Sequence, residues 1–278
     1  MRLHLERFPG RAVFDTALSH AMLRRVARGE APQSLRLYRP DNALLFSNLD
    51  ARRPGYPRAV ELAREAGFEP VIRLAGGHAA VFLESAMAFA WASADPAAHL
   101  SIGPRFDRLT GWIVQALRGL GLDARVGEVP GEYCPGEHSV NIGGRVKVMG
   151  VGQRVIRGGA HVGGVLTVAQ TGPLRDVLIP IYEALELEFR PETAGGVADF
   201  DPSLGADDVI EAIRAVLSEE GLSADEARFE PEAHRDAERL VPLHGPERDP
   251  AASRALRPSP AGVGGAKALI QSPSHDDD

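Results

Sequence analysis

The sequence predicts an α+β fold: a mixed, mainly antiparallel sheet flanked by helices. Three observations carry that prediction. Stretches with apolar residues at helical spacing stand near both ends of the chain, at 14–28 and 207–219. Between them, residues 125–168 break into short Val-rich runs punctuated by eleven glycines between Gly127 and Gly164. Helices and strands do not alternate strictly, which disfavours a doubly wound parallel sheet.

Residues 14–28 predict the first helix. Phe14, Leu18, Ala21, Met22 and Val26 recur on one face, and Asp15 suits the positive end of the helix dipole. Leu35, Leu37 and then Leu44 to Phe46 alternate or cluster as strands around the Pro40–Asp41–Asn42 turn. Residues 56–67 predict a helix closed by Gly67. The extended segment FEPVIRLAGGHAAVFL follows, broken by Gly76–Gly77, a pattern suited to a hairpin or a tight strand-to-strand loop. Residues 104–120 carry the clearest helical stripe, from Phe106, Leu109 and Ile113 to Leu117 and Leu120. Asn141–Ile142–Gly143–Gly144 and Arg157–Gly158–Gly159 supply turns ahead of the strand-like runs RVKVMGV and HVGGVLTV. Helices are expected at 174–187 and 207–219, the second with Val209, Ile210, Ile213, Val216 and Leu217 on one face. Beyond about residue 220 the periodicity decays. The folded domain is therefore placed at 1–222, and 223–278, rich in Pro, Ala, Gly and charge towards its end, is expected to be a disordered tail.

The chain has 278 residues, 44% of them hydrophobic, enough for a substantial core. A net charge of −7 argues against a general nucleic-acid binder, which presents a basic face. The longest weakly polar run, 86–94, is too short to cross a bilayer, so no membrane role is expected. The opening MRLHLERFPGR lacks the apolar segment of a signal peptide, and with a single cysteine the expected compartment is the cytoplasm. No long apolar helix face is left over, which favours a monomer. One cysteine, with no H-x-x-x-H or C-x-x-C spacing, gives a metal site little support, and no G-x-x-x-x-G-K-[ST] phosphate loop is present.

Cys134 and Lys147 are the chemically informative pair. Lys147 is one of two lysines against 29 arginines and lies thirteen residues after the only cysteine. A lysine is a compact point charge, so the two together suggest a nucleophile and a cation that polarises what it attacks. Each also has a plain alternative: Cys134 as a buried small hydrophobe, Lys147 as an exposed strand lysine. Arg73 with Gly76–Gly77 could bind an anion through its guanidinium and free backbone amides. His138, four residues from Cys134, is a candidate general base, or simply a solvated loop histidine. His78 and His161 each abut glycine pairs and could line the same cleft.

Taken in order, FDTALSHAMLRRV, LRLYRPDNALLFSNLD, VIRLAGGHAAVF and VNIGGRVKVMGVGQRVIRGGAHVGGVLTV resemble the lipoate–protein ligase and octanoyltransferase family, over roughly residues 3–219. The resemblance implies a biotin/lipoate protein ligase-like catalytic domain. It also implies a lysine that contacts the acyl carbonyl, here Lys147, and an arginine–diglycine loop at the acyl pocket, here Arg73, Gly76 and Gly77. His78, Gly144, Gly150 and His161 complete the expected substrate-binding set. The Y-C-P-G ahead of the lysine motif is similar to the cysteine-dependent octanoyl amidotransferase branch, in which Cys134 would carry the acyl thioester. That branch implies lipoyl carrier domains as partners (2-oxoacid dehydrogenase E2 or the glycine-cleavage carrier protein), with acyl carrier protein a further possible donor, and no cofactor. Three departures separate the chain from the family's ligases. Leu74 and Ala75 stand where ligases carry a second arginine and a serine, Leu83 replaces a frequent histidine, and a helix and tail replace the accessory domain. The alternatives are an ATP- and Mg-dependent lipoate ligase, or a non-catalytic binder of lipoyl domains or acyl ligands.

Overall fold

A computed structural model of the protein describes residues 1–222 and 225–247. In chain order the elements are β1 (Arg2–His4), α1 (Ala12–Ala27), β2 (Ser34–Tyr38), β3 (Ala43–Phe46), α2 (Tyr56–Glu65), β4 (Glu69–Ile72), β5 (Ala80–Phe82), β6 (Met87–Ala94) and α3 (Ile102–Gly119). They continue with β7 (Ala124–Val126), β8 (Val140–Ile142), β9 (Val146–Ile156), β10 (Gly159–Leu166), α4 (Thr171–Ala184), α5 (Ala206–Glu219), β11 (Asp225–Glu226) and α6 (Pro231–Leu240).

An eight-stranded sheet runs β11-β1-β2-β6-β10-β9-β8-β7. Its pairings are antiparallel except at the β11-β1-β2 edge. The period of two along β6 decides its faces. Met87, Phe89 and Trp91 pack with Trp112, Ile113 and Leu117 of α3 and Val209, Ile213 and Leu217 of α5. Ala90 and Ala92 turn the other way, onto Phe14, Leu18 and Val26 of α1. The stripes predicted for α1, α3 and α5 are thus the buried faces. Helix α1 begins where Asp41 and Glu69 carboxylates accept the backbone N–H groups of Arg11 and Ala12, which its own turns leave unpaired.

A second sheet, β4-β3-β5, lies over α2 and α4. Of the two readings of the Gly76–Gly77 break, the hairpin is corrected and the strand-to-strand loop stands. β4 pairs parallel to β3 after the α2 crossover, so the next strand, β5, takes the opposite edge of β3, antiparallel. The loop over 73–79 therefore passes across the end of β3 and is free to close over a cavity between the two sheets.

The expected disorder of 223–278 is also corrected where the chain is described. β11 pairs with β1, and Phe229, Ala233, Ala237 and Leu240 pack against α1. With alanine at two of these four positions, the stripe is narrow and composition hides it. Residues 223–224 and 248–278 lie outside the described residues. Among the described residues no helix is long and apolar enough to cross a membrane.

Candidate active site

The segment between β7 and β8 carries Cys134 in a left-handed backbone conformation, φ +42°, which costs a non-glycine residue energy and is held by its surroundings. The holding group is Lys147. A register shift between β8 and β9 inserts one extra residue into β9. Val148 and Met149 then both enter the core on one face, while Lys147 and Gly150 both face the cavity on the other. The Lys147 side chain is 1% exposed, and its ammonium donates to Glu132 Oε1 at 2.9 Å, the Tyr133 carbonyl at 2.9 Å and the Cys134 carbonyl at 2.8 Å. All three N–H donors of the ammonium are used.

Glu132 is the residue that sequence reasoning missed. Its carboxylate is fully buried and also accepts from Ser139 Oγ at 2.5 Å, Gly136 N–H at 3.2 Å and Val129 N–H at 2.9 Å, so it ties both ends of the cysteine loop to Lys147. A signal existed: a buried strand lysine requires a carboxylate, and Glu132 is one of few acids nearby in sequence.

The 73–79 loop closes over the sulfur. Cys134 Sγ accepts from the Arg73 guanidinium at 3.4 Å and from the His78 backbone N–H at 3.2 Å. Gly77, at φ +96°, lies so close that a Cβ there would stand 2.1 Å from Arg73 Nη2 and 2.8 Å from Sγ. Burial alone would raise the thiol pKa. The charges of Arg73 and Lys147, with the hydrogen bonds from His78 N–H and Arg73, more than offset it and leave the thiol below its ordinary range. A second acid, this one distant in sequence, enters here. The fully buried Asp50 carboxylate accepts from His78 Nδ1–H at 2.9 Å and from Ser47 N–H at 2.8 Å.

Behind the sulfur runs a cavity whose walls are Leu45, Phe82, Phe89, Val151 and Val165. Its bore exists because facing strands offer Ala80, Ala90, Gly150, Gly152 and Gly163 instead of larger residues. Tyr38, Thr16 and His161 also line it. Both His161 ring nitrogens are buried without a hydrogen-bond partner among the described residues, and burial lowers its pKa to about 4, so the ring is neutral.

Of the residues expected at the site, Cys134, Lys147, Arg73, Gly150 and His161 line this cavity, and Gly76, Gly77 and His78 form the loop over the sulfur. Gly144 does not belong: it occupies the β8–β9 turn, where its N–H donates to Asn141 Oδ1. Nor is His138 the base for Cys134. Its ring stacks on Phe106 and pairs with Asp107 of α3 at 3.2 Å. No group of three His, Cys, Asp or Glu side chains suited to a metal occurs among the described residues.

Comparison with known proteins converges on one family. The profile of the lipoyl protein ligase A/B catalytic domain matches residues 11–218. An octanoyl-[GcvH]:protein N-octanoyltransferase of Bacillus velezensis is 28% identical over 194 residues, covering 68% of this chain and 67% of that one. A namesake from Exiguobacterium sp. is 29% identical over 154 residues, with 55% and 54% covered, so the chain spans only about half the length of that relative. Among solved structures, lipoate-protein ligase A bound with ATP superposes with a TM-score of 0.70 at 21% identity, covering 86% of this chain and 93% of that one. A bi-partite lipoate protein ligase of Thermoplasma acidophilum, solved as a system with its E2 lipoyl domain, gives 0.67 at 22% identity, with 86% and 91% covered. At these identities the structures establish the fold.

Proposed function

The chain belongs to the lipoyl protein ligase A/B catalytic domain family, and from that premise we propose that it is a cytoplasmic octanoyltransferase working through an acyl thioester on Cys134. The reaction takes an octanoyl group from the lysine of a carrier of the glycine-cleavage type and delivers it to a lysine of an E2 lipoyl domain. The observation that carries this reading is the state of Cys134: a thiol with lowered pKa, in a strained turn, at the mouth of an apolar cavity.

The tail of the acyl chain lies along Phe82, Phe89 and Val165, where each buried methylene contributes about 0.8 kcal/mol. The carbonyl then meets Sγ. Charge developing on its oxygen finds the Arg73 guanidinium and the His78 N–H, the two donors already aimed at the sulfur. Lys147 acts one step back. With its three donors committed to Glu132 and to the Tyr133 and Cys134 carbonyls, it supplies field and loop geometry. Exchanging one lysine amide for another conserves bond type, so the transfer needs no nucleotide. Arg73, the arginine of this loop, is engaged by the sulfur.

Incubation with an octanoylated carrier followed by intact mass spectrometry tests the reading. A hydroxylamine-labile octanoyl adduct is expected on the wild-type chain and not on Cys134→Ser. No adduct on the wild type would remove the thioester mechanism.

A further inference from the structure

Transfer between two lysines has a requirement that the thiolate cannot meet. The departing nitrogen of the donor amide must gain a proton, and the attacking nitrogen of the acceptor must lose one. The groups around Sγ are poor carriers. Arg73 does not release a proton, and the ammonium hydrogens of Lys147 are all committed. The Tyr182 hydroxyl, which accepts from Cys134 N–H and donates to the Ala79 carbonyl, has its pKa pushed well above the ordinary phenol range by burial. His161 is buried and its ring is held neutral by that burial, and His138 is bound to Asp107.

His78 remains. Its own backbone N–H touches Sγ, so the imidazole leaves the chain from the residue nearest the reacting atom. The ring is 28% exposed, on the side from which a carrier lysine must arrive, since the acyl tail occupies the interior. Asp50 only accepts, so the 2.9 Å bond places a proton on Nδ1 and leaves Nε2 as the working nitrogen, which has no protein partner among the described residues. The arrangement is a cysteine, an imidazole and a carboxylate contributed by three separate loops.

Resting on the octanoyl transfer proposed above, we propose that His78, oriented by Asp50, carries the proton in both half-reactions. In the first, the Sγ–C bond forms and the amide C–N bond breaks as imidazolium Nε2–H passes its proton to the departing nitrogen, releasing a neutral amine. In the second, the neutral acceptor amine attacks, the C–N bond forms and the C–S bond breaks to restore the thiolate. The amine's surplus proton returns to Nε2. The released amine gains a further proton from water and the acceptor ammonium has given one to water, so the cycle balances. His78 is the catalytic residue and Asp50 its positioning residue.

The test compares two donors on the full chain: an octanoylated carrier, whose amine must be protonated to leave, and octanoyl-N-acetylcysteamine, whose thiolate leaves without a proton. Acyl-Cys134 formation is followed by rapid-quench mass spectrometry. Replacing His78 by Gln keeps the backbone N–H on the sulfur and removes only the imidazole's chemistry. The amide-to-thioester rate ratio is expected to fall on the order of 100-fold or more, the range of general acid catalysis. Asp50→Asn should lower the same ratio with KM for the carrier little changed, and the double variant should be no worse than His78→Gln. If His78→Gln does not fold, Asp50→Asn supplies the reading. An unchanged ratio, with both donors slowed alike or neither slowed, overturns the proposal and leaves His78 a structural loop residue. Failure of wild type to acylate from either donor would instead overturn the octanoyl transfer itself.

Discussion

Removing the charge of Lys147 is the sharpest test of how Cys134 is held. In Lys147→Met the side chain keeps its length and packing but loses three hydrogen bonds, and it leaves the fully buried Glu132 carboxylate without its counter-charge. Breaking one side of a buried ion pair costs about 3–5 kcal/mol. Glu132 retains Ser139 Oγ and two backbone N–H groups, which argues for the lower half of that range. In a domain of this size the melting temperature should then fall by on the order of 10 °C. Pairing the change with Glu132→Gln removes the orphaned charge, so the double variant should be less destabilised than the sum of the singles by about 2 kcal/mol or more. Urea unfolding of the four proteins gives the coupling directly. A Lys147→Met protein within about 1 kcal/mol of wild type, or singles that simply add, would refute the buried pair as the anchor of the Cys134 turn.

Three further outcomes follow from the same geometry. Arg73→Gln removes the main charge that lowers the Cys134 thiol, so its pKa should rise; iodoacetamide alkylation profiled against pH should shift to higher pH, and an unshifted profile would remove Arg73 from the site. His161 is neutral in the fold with its pKa lowered to about 4, so below about pH 6.5 the unfolded chain binds a proton that the folded chain refuses. Stability should be full above that pH and fall towards pH 4, with about 2 kcal/mol lost at pH 5 through this residue, and His161→Phe should flatten urea midpoints between pH 7 and pH 5. Gly163→Ala would put a Cβ 2.5 Å from His161 Cε1 and 3.0 Å from the Phe89 carbonyl, pushing the ring into the cavity; it should cost about 1–3 kcal/mol and shift acyl preference to chains shorter than C8, read from competition between acyl donors.

The helices and the mainly antiparallel sheet were legible because period 3.6 and period 2 are local signals. The stripes of Phe14, Leu18 and Val26 and of Leu109, Ile113 and Leu117 are the faces that pack. The order of β4, β3 and β5 was not legible, since the Gly76–Gly77 break looks the same whether the flanking strands pair with each other or with a third. Helix α6 escaped because alanines at 233 and 237 bury little area each and leave almost no hydrophobic contrast. At the site, Cys134 and Lys147 stood out as rare residue types. Their partners did not. Glu132 is one acid among 38 acidic residues, and Asp50 meets His78 across 28 residues of chain, a contact created only when the 73–79 loop crosses β3. His138 misled for the opposite reason: it is four residues from Cys134 in sequence, yet its ring pairs with Asp107, 31 residues away on α3.

The opposing influences on Cys134 suit the two-step transfer proposed above. In that proposal the thiolate attacks an amide and later departs from a thioester, and these ask for different things: nucleophilicity falls as thiol pKa falls, while departure quickens. A sulfur surrounded only by cations would leave well and attack poorly; one surrounded only by apolar groups would remain a thiol. Burial raises this thiol, and Arg73, Lys147 and the His78 N–H lower it by somewhat more. The same two donors that stabilise the thiolate are those an oxyanion meets when the carbonyl arrives, so charge moving from sulfur to oxygen stays within one fixed field. That field cannot follow the substrate, because Lys147 is locked by Glu132 and Arg73 by the close approach of Gly77. The site therefore needs one group free to change protonation state as the amines exchange, and His78 on Asp50 is the group in contact with the sulfur's loop that has a nitrogen to spare.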